Sequence, residues 1–189
     1  MRINTGFHKG KKIHLPRGIR PTQDKVRKAI FDILGDVSGL SFLELFAGSG
    51  AVGFEAASRG VSELELVEYN RDCQLAIKRN IESLKPKACA LYPFEAQKAI
   101  QVFHRDGRKF DIIFLDPPYH EGLAKKTLHM LGVYDILSPD GLLVAQHFKR
   151  DELPADEGSL RRIKQAKYGD TVLSIYNKNV PESNLSRDL

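Results

Sequence analysis

Short apolar segments alternate with longer amphipathic ones through most of this chain, and that alternation most constrains its fold. The short segments are rich in β-branched and aromatic residues and have the length of buried strands, at 42–46, 64–68, 88–92, 110–115 and 141–146. The longer segments carry apolar residues at helical spacing, at 51–59, from 70 or 71 to 84, at 94–103 and at 123–131. Strand–helix alternation predicts an α/β fold, with a mostly parallel sheet covered by helices on both faces.

The two ends of the chain depart from this pattern. Thr22 is predicted to cap a helix that precedes the first strand and stops near Gly35. Near the other end, 161–167 and 171–176 predict two strands around the short turn Tyr168-Gly169-Asp170. We therefore expect an antiparallel C-terminal hairpin at the edge of the parallel sheet.

Composition places the chain among soluble proteins of ordinary domain size. It has 189 residues, of which 42% are hydrophobic and 28% charged. It shows neither a secretory signal nor a run of about 18 apolar residues, so we expect a cytoplasmic protein with no membrane contact. Cys73 and Cys89 are expected to be reduced, and no Cys/His cluster has metal-ligand spacing, so no metal is predicted. We expect a monomer made of a basic arm at 1–21, one domain at 22–178 and a disordered tail at 179–189.

Positive charge is concentrated at the N-terminus. The first 30 residues contain nine Lys or Arg against one acid, a net charge of +8, which leaves −3 on the rest of a chain whose total is +5. A basic segment on a nearly neutral body suits a polyanion, because neutralising phosphates releases counterions. A merely solvated basic tail is the structural alternative. The residues that we expect to contact a nucleic acid are Lys9, Lys11, Lys12, Arg17 and Arg20.

The sequence Asp116-Pro117-Pro118-Tyr119 directly follows the predicted strand at 110–115. Neither proline can donate a sheet hydrogen bond, so the strand must end there. Open α/β sheets bind ligands at the carboxyl edge of their strands. At that edge these four residues would offer a carboxylate, backbone carbonyls and an aromatic face. Such groups suit a planar molecule that carries an NH2 group, such as a nucleobase, although a proline-rich turn capped by the Asp would look the same.

The turn after the first predicted strand matches a dinucleotide-binding pattern. Gly48-Ser49-Gly50-Ala51-Val52-Gly53 is a G-x-G-x-x-G sequence, and Glu68 lies 20 residues beyond its first glycine. Glu44, however, lies just before the glycines, where a carboxylate would repel a pyrophosphate. The same carboxylate suits the ammonium group of S-adenosylmethionine. Glu68 fits either cofactor, because an acid at that place binds ribose hydroxyls.

Together these motifs resemble the class I S-adenosylmethionine-dependent amino-methyltransferases, whose fold is Rossmann-like. More narrowly, the chain resembles the bacterial 16S rRNA (guanine-N2)-methyltransferase D family. The resemblance covers nearly the whole chain and rests on Arg20-Pro21-Thr22, the helix that follows it, Leu45-Phe46-Ala47-Gly48-Ser49-Gly50, Asp116-Pro117-Pro118-Tyr119 and Tyr168-Gly169-Asp170-Thr171.

The resemblance implies roles for individual residues. Around the methionine part of S-adenosylmethionine it implies Glu44, Phe46, Ala47, Gly48 and Gly50. For the ribose it implies Glu68, for the adenine ring Tyr69, and for the adenine amine Glu95 with Ala96. At the end of the fifth strand, where many relatives are expected to have Glu-His, this chain has Gln146-His147. The role of Gln146 is therefore open.

The implied reaction is methyl transfer to a guanine N2 in 16S rRNA, free or within the small ribosomal subunit. Asp116 and the Pro117 carbonyl would accept hydrogen bonds from the N–H groups of the amine and so free its lone pair, and Tyr119 would stack on the base. The same chemistry permits transfer to adenine N6 or to a protein glutamine amide. An inactive RNA-binding module with a methyltransferase fold and an NAD enzyme are further alternatives.

Overall fold

The computed structural model describes residues 1–16, 18, 22–118 and 122–178. Arg17, Arg20 and Tyr119, as well as the predicted tail at 179–189, lie outside the described residues. In chain order the helices and strands are α1 Asp24–Leu34, β1 Ser41–Leu45, α2 Ala51–Ser58, β2 Glu63–Val67, α3 Arg71–Leu84, β3 Cys89–Tyr92, α4 Ala96–Arg105, β4 Phe110–Leu115, α5 Leu123–Val133, β5 Leu137–Phe148, β6 Asp156–Glu157, β7 Leu160–Tyr168 and β8 Thr171–Lys178.

One eight-stranded sheet runs in the order β3-β2-β1-β4-β5-β8-β7-β6. The five strands from β3 to β5 are parallel, and β8, β7 and β6 continue the sheet antiparallel. The expected α/β fold with an antiparallel C-terminal hairpin is confirmed. The chain moves outward from β1 to β3 and then returns to place β4 on the other side of β1. Strand order therefore reverses between β1 and β4, which is where open α/β sheets form their ligand crevice.

Two apolar clusters cover the two faces of the sheet. Neighbouring residues on a strand point to opposite faces, so Phe42 belongs to one cluster and Leu43 to the other. The first cluster joins the sheet to α1, α2 and α3 through residues that include Ile30, Phe54 and Ile77. The second joins it to α4 and α5, so five helices bury both faces of the parallel strands.

Two local predictions are wrong. Thr22 is not a helix cap, because α1 begins at Asp24 after the N-cap residue Gln23, which makes no side-chain capping bond. The fifth strand is longer than predicted, since β5 begins at Leu137 rather than at 141. Ser138-Pro139-Asp140 has the composition of a turn, but an irregularity in the pairing of β4 with β5 accommodates it within the strand.

The basic N-terminal segment forms a hairpin that packs on α1 and α2. The Ile3 amide donates to the Lys11 carbonyl at 3.0 Å, and the Ile13 amide donates to the Met1 carbonyl at 3.0 Å. Ile3 and Ile13 are buried in the same cluster as α1 and α2. We call residues 1–16 the arm hairpin. Its apolar side chains anchor it, which leaves its lysines exposed.

A buried arginine fixes the arm hairpin to both helices. The guanidinium of Arg27 on α1 is fully buried and donates to the Arg2 carbonyl at 2.6 Å and to Asp24 at 2.9 Å. It also lies 3.7 Å from Glu55 on α2, whose carboxylate accepts the Asn4 amide at 2.8 Å. Removing one partner of a buried ion pair costs about 3–5 kcal/mol, so this network holds the arm hairpin firmly.

Cys73 and Cys89 are both free thiols. Within the described ranges no helix is long and apolar enough to cross a bilayer. The same residues contain no group of three His, Cys, Asp or Glu side chains suited to a metal ion.

Candidate active site

A cavity of about 830 Å³ opens at the carboxyl edge of the sheet, where strand order reverses. In the register of β1 with β4, Leu45 pairs with Leu115, so the loop after β1 and the segment Asp116–Pro118 leave the sheet side by side. The end of β5, the tip of the β7–β8 hairpin and the segment before α1 complete the walls. The sequence-predicted residues in the lining are Glu44, Phe46, Ala47, Gly48, Glu68, Asp116, Pro117 and Pro118.

The loop after β1 has a tightly wound backbone. Phe46 has a φ of +60°, in the left-handed region that non-glycine residues rarely adopt, and Gly48 and Gly50 have φ values of +57° and +73°. The Gly50 amide donates to the Ala47 carbonyl at 2.7 Å. The Gly48 amide donates to Glu68 at 2.7 Å, and Glu68 also accepts the Asn70 amide at 2.7 Å. Glu68 thus fixes the loop as well as lining the cavity.

Glu44 is buried beneath this loop, against the first turn of α2. Its carboxylate accepts the Gly53 amide at 2.8 Å. A Cβ on Gly53 would lie 2.6 Å from the same carboxylate oxygen, so the third glycine of the motif leaves room for the Glu44 side chain. Burial is the largest cause that raises the pKa of Glu44 to about 8, and the nearby Asp116 raises this pKa further. Among the described residues no side-chain cation pairs with it.

The arrangement of Glu44 and Glu68 bears on the two cofactor interpretations. A pyrophosphate would need free loop amides and no nearby negative charge. Here the amide of the first glycine is occupied by Glu68, and Glu44 places a second carboxyl at the cavity. These acids suit a cationic ligand that carries ribose hydroxyls.

Asp116 lies across the cavity from the glycine loop. Its carboxylate accepts the Thr22 hydroxyl at 3.2 Å, and the side-chain amide of Gln146 lies beside it. Burial raises the pKa of Asp116 to about 7, and Thr22 and Gln146 oppose the rise. Pro117 is buried and Pro118 is exposed beside it. Asp116, Pro117 and Pro118 therefore form one continuous part of the cavity wall.

Sequence reasoning missed the contribution of Thr22 and left Gln146 open. Both residues line the cavity next to Asp116 and oppose the rise in its pKa. The sequence predicts a helix cap at Thr22 because a Thr before an amphipathic segment is a common N-cap signal. Two features of the sequence point to these residues. Thr22 belongs to the Arg-Pro-Thr stretch on which the family resemblance rests, and Gln146 stands where many relatives are expected to have Glu.

The other predicted cofactor residues do not line the cavity. Gly50 is the N-cap residue of α2 and shapes the loop from behind. Tyr69 is 68% exposed next to Glu68. Glu95 is the exposed N-cap residue of α4, and Ala96 is the buried first residue of that helix. Because β3 lies outside β2 in the sheet, this part of the edge is farther from β1, and roles for Glu95 and Ala96 stay predictions.

The predicted RNA contacts lie on the arm hairpin. Lys9, Lys11 and Lys12 are exposed, and none of them lines the cavity. The hairpin reaches the site through its later residues: Asn80 of α3 bonds to the His14 backbone at 2.7 and 3.1 Å and to the Ser49 carbonyl at 3.0 Å. The buried side chain of Asn80 therefore links the arm hairpin to the glycine loop.

Comparison with known proteins identifies the family of this chain. The family model described as Conserved hypothetical protein 95 matches residues 1–177. This chain belongs to the Conserved hypothetical protein 95 family. The curated relatives similar to it include YlbH of Bacillus subtilis, 36% identical over 182 residues, which span 94% of this chain and 99% of YlbH.

A second relative carries the name expected from the sequence resemblance. The Ribosomal RNA small subunit methyltransferase D of Escherichia coli (strain K12) is 31% identical over 183 residues, covering 94% of this chain and 90% of that protein. Among solved structures, the hypothetical protein TTHA0928 of Thermus thermophilus has a TM-score of 0.83 at 30% identity and covers 94% of this chain and 99% of that one. The expected family and the class I methyltransferase fold are confirmed.

Proposed function

We propose that this protein transfers a methyl group from S-adenosylmethionine to the exocyclic N2 of a guanine in 16S rRNA. One observation carries the proposal: the acids and glycine loop at the end of β1 and β2 open into the same cavity as Asp116 and Pro117 at the end of β4. The donor and the acceptor can therefore meet at the point where strand order reverses. The Escherichia coli relative, named as a small subunit rRNA methyltransferase, supports the substrate class.

The residues of the first loop would hold the donor. Glu44 suits the ammonium group, and Glu68 suits ribose hydroxyls. The donor supplies a methyl group that is already activated on a sulfonium sulfur. Tyr69, Glu95 and Ala96 are proposed to contact the adenine, as the family resemblance implies.

Asp116 and Pro117 would act on the acceptor. Their oxygens accept hydrogen bonds from the two N–H groups of the amine. These hydrogen bonds free the nitrogen lone pair and stabilise the positive charge that develops on nitrogen. The proton released after transfer can pass to the Asp116 carboxylate. Tyr119 is proposed to stack on the base, which must leave its own stack to enter the cavity.

The arm hairpin is proposed to position the RNA. Its exposed Lys9, Lys11 and Lys12, together with Arg17 and Arg20, would contact backbone phosphates without reading the sequence. The substrate is then 16S rRNA or the small ribosomal subunit, and we propose a monomeric cytoplasmic enzyme.

Two measurements test this function. Calorimetric titration should give binding heat with S-adenosylmethionine and none with NAD. Mass mapping of 16S rRNA from cells lacking the gene should reveal one missing N2-methylguanosine, restored by the wild-type gene and not by Asp116→Ala. A missing N6-methyladenosine or an unmethylated protein glutamine would favour one of the alternative acceptors. Unchanged methylation of both RNA and protein would contradict the proposal.

A further inference from the structure

Gln146 occupies a defined place beside Asp116. In the pairing of β4 with β5, Leu115 lies next to Ala145, so Asp116 and Gln146 are the next residues of two adjacent strands. Gln146 is only 5% exposed, and what remains exposed faces the cavity, whose wall it forms. His147 has the opposite strand orientation and bonds to Ser174 at 2.9 Å instead.

The two ends of the Gln146 amide have different environments. Its nitrogen is the only donor in the side chain, and the amide lowers the pKa of the neighbouring Asp116 carboxyl as a donor does, so we assign Nε2 to that side. The oxygen, Oε1, is buried and has no hydrogen-bond partner among the described residues. Buried acceptors in folded proteins are nearly always satisfied, so an orphaned oxygen in a cavity wall indicates a ligand that donates to it.

The chemistry of the acceptor identifies that donor. An amine held by Asp116 would place one neighbour of its carbon atom beside Gln146. In guanine these neighbours are N1, which carries a hydrogen, and N3, which carries a lone pair. In adenine they are N1, which carries a lone pair, and C5, and in a glutamine amide the polar neighbour is the carbonyl oxygen. Of these three acceptors only guanine offers a second N–H beside its amine.

Resting on the proposed function, we infer that Gln146 determines the base specificity of this enzyme. Its Oε1 accepts the N1–H of the target guanine, and its Nε2 holds Asp116 in place to accept from N2. Adenine would instead bring its N1 lone pair against Oε1, leaving both acceptors unpaired in a buried site. The selection of guanine is therefore made by two adjacent residues at the ends of β4 and β5.

The test compares guanosine with 2-aminopurine riboside at the target position of 16S rRNA, assembled into small subunits after the position has been mapped. 2-Aminopurine keeps the 2-amino group but has a lone pair on N1. We expect the wild-type single-turnover rate to favour guanosine by about 10- to 100-fold. Gln146→Met, which removes the acceptor, should reduce that preference at least several-fold.

Two variants separate specificity from general damage. Thr22→Val also removes a donor to Asp116 but leaves Oε1 intact, so it should slow both substrates alike and keep the preference. Gln146→Glu keeps an acceptor at the same position but loses the donor to Asp116, so it should slow both substrates while retaining the preference for guanosine. If Gln146→Met does not fold, Gln146→Asn, which withdraws the same amide by one methylene, takes its place.

The outcomes are distinct. A wild-type preference that persists in Gln146→Met, or that falls equally in Thr22→Val, overturns the role of Gln146 while leaving the proposed function intact. A wild-type protein that methylates neither nucleoside, together with rRNA that lacks no methylguanosine in cells without the gene, overturns the proposed function and this inference with it.

Discussion

One cavity is lined by the carboxyls of buried Glu44 and half-buried Asp116, to which the proposed function gives different roles. Each has a pKa raised by burial, to about 8 for Glu44 and about 7 for Asp116, and the charge of Asp116 raises the pKa of Glu44 further. A cation beside Glu44 would favour its ionised form, whereas Asp116 must be ionised to accept both an N–H bond and a proton. At the scale of single residues, the proposed function therefore implies that protonation couples donor binding to acceptor activation.

We expect binding of S-adenosylmethionine to release a proton at pH 7. Glu44, with a pKa of about 8, is mostly protonated in the free protein, and an ammonium group beside it lowers that pKa. Calorimetry at pH 7 in buffers of different ionisation enthalpy should show a heat that depends on the buffer. Glu44→Gln should bind more weakly and lose that dependence. A buffer-independent heat for the wild type would contradict this role.

The same group makes folding stability depend on pH. Because the pKa of Glu44 is raised in the folded protein, its contribution is fully present below the ordinary carboxyl pKa and is lost as pH rises through about 8. The thermal midpoint of the ligand-free protein should therefore fall between pH 5 and pH 9. Glu44→Gln should flatten that fall, while an equally steep decline in the variant would assign the effect to other groups.

Thr22→Val should move the pH dependence of methylation to higher pH. The Thr22 hydroxyl donates to Asp116 at 3.2 Å and favours the carboxylate, so its loss raises the pKa of Asp116. Single-turnover rates should be several-fold lower than wild type at pH 7 and approach it at pH 9. Thr22→Ser keeps the hydroxyl and should keep the wild-type profile. A uniform loss of rate at all pH values would indicate a structural role instead.

At the scale of elements, α2 is placed by how closely it approaches β1 and β2. Gly53 in its first turn has no side chain, which allows Glu44, Leu64 and Leu66 to pack against the helix backbone. A Cβ at this position would lie within 2.6–2.8 Å of an atom of each of them. The glycine spacing thus serves helix–sheet packing and the burial of Glu44.

Gly53→Ala should therefore destabilise the fold and weaken donor binding together. Overpacking of this kind costs about 1–3 kcal/mol, measurable by urea denaturation. In the double variant Glu44→Ala with Gly53→Ala, one of the three close contacts is gone, so the two effects should be less than additive. Strict additivity, or a Gly53→Ala variant with wild-type stability, would show that the helix relaxes without cost.

At the scale of the whole molecule, the positive charge near the N-terminus lies on one exposed surface, that of the arm hairpin. The arm hairpin is anchored by buried Ile3 and Ile13 and by the network of Arg27 and Glu55. Its exposed lysines are therefore presented on a fixed hairpin, and its later residues reach the cavity through Leu15 and Pro16. RNA held by the hairpin would be led toward the glycine loop and Asp116.

Neutralising Lys9, Lys11 and Lys12 together should weaken RNA binding and flatten its salt dependence. Each lost phosphate contact lowers the slope of log K against log salt by about 0.7–0.9. Replacing the exposed Lys85, Lys87 and Lys98, which lie outside the arm hairpin, makes the same change in net charge and serves as the control. Equal slopes for the two triple variants would show that net charge, rather than the arm hairpin, attracts the RNA.

Periodicity and motifs predicted much of this molecule. Strand–helix alternation predicted the parallel sheet, because a buried parallel strand needs a continuous apolar run and its crossover needs an amphipathic helix. The Asp116 motif and the glycine motif predicted the two loops that line the cavity. Such motifs can be recognised in a sequence because glycines and prolines impose local backbone geometry whatever surrounds them. Thr22 was misassigned because a local capping signal cannot show that its hydroxyl is 3.2 Å from a carboxylate 94 residues away.

By itself the sequence determined the order of the elements, the position of the acids and glycines along the chain, and the concentration of positive charge at one end. These properties depend on neighbouring residues and on composition. Only the folded chain shows that Thr22 donates to Asp116, that the Gln146 side-chain oxygen beside it has no partner among the described residues, and that the arm hairpin lies on α1 and α2. Such contacts join residues far apart in sequence, so they depend on the reversal of strand order between β1 and β4, which brings those segments together.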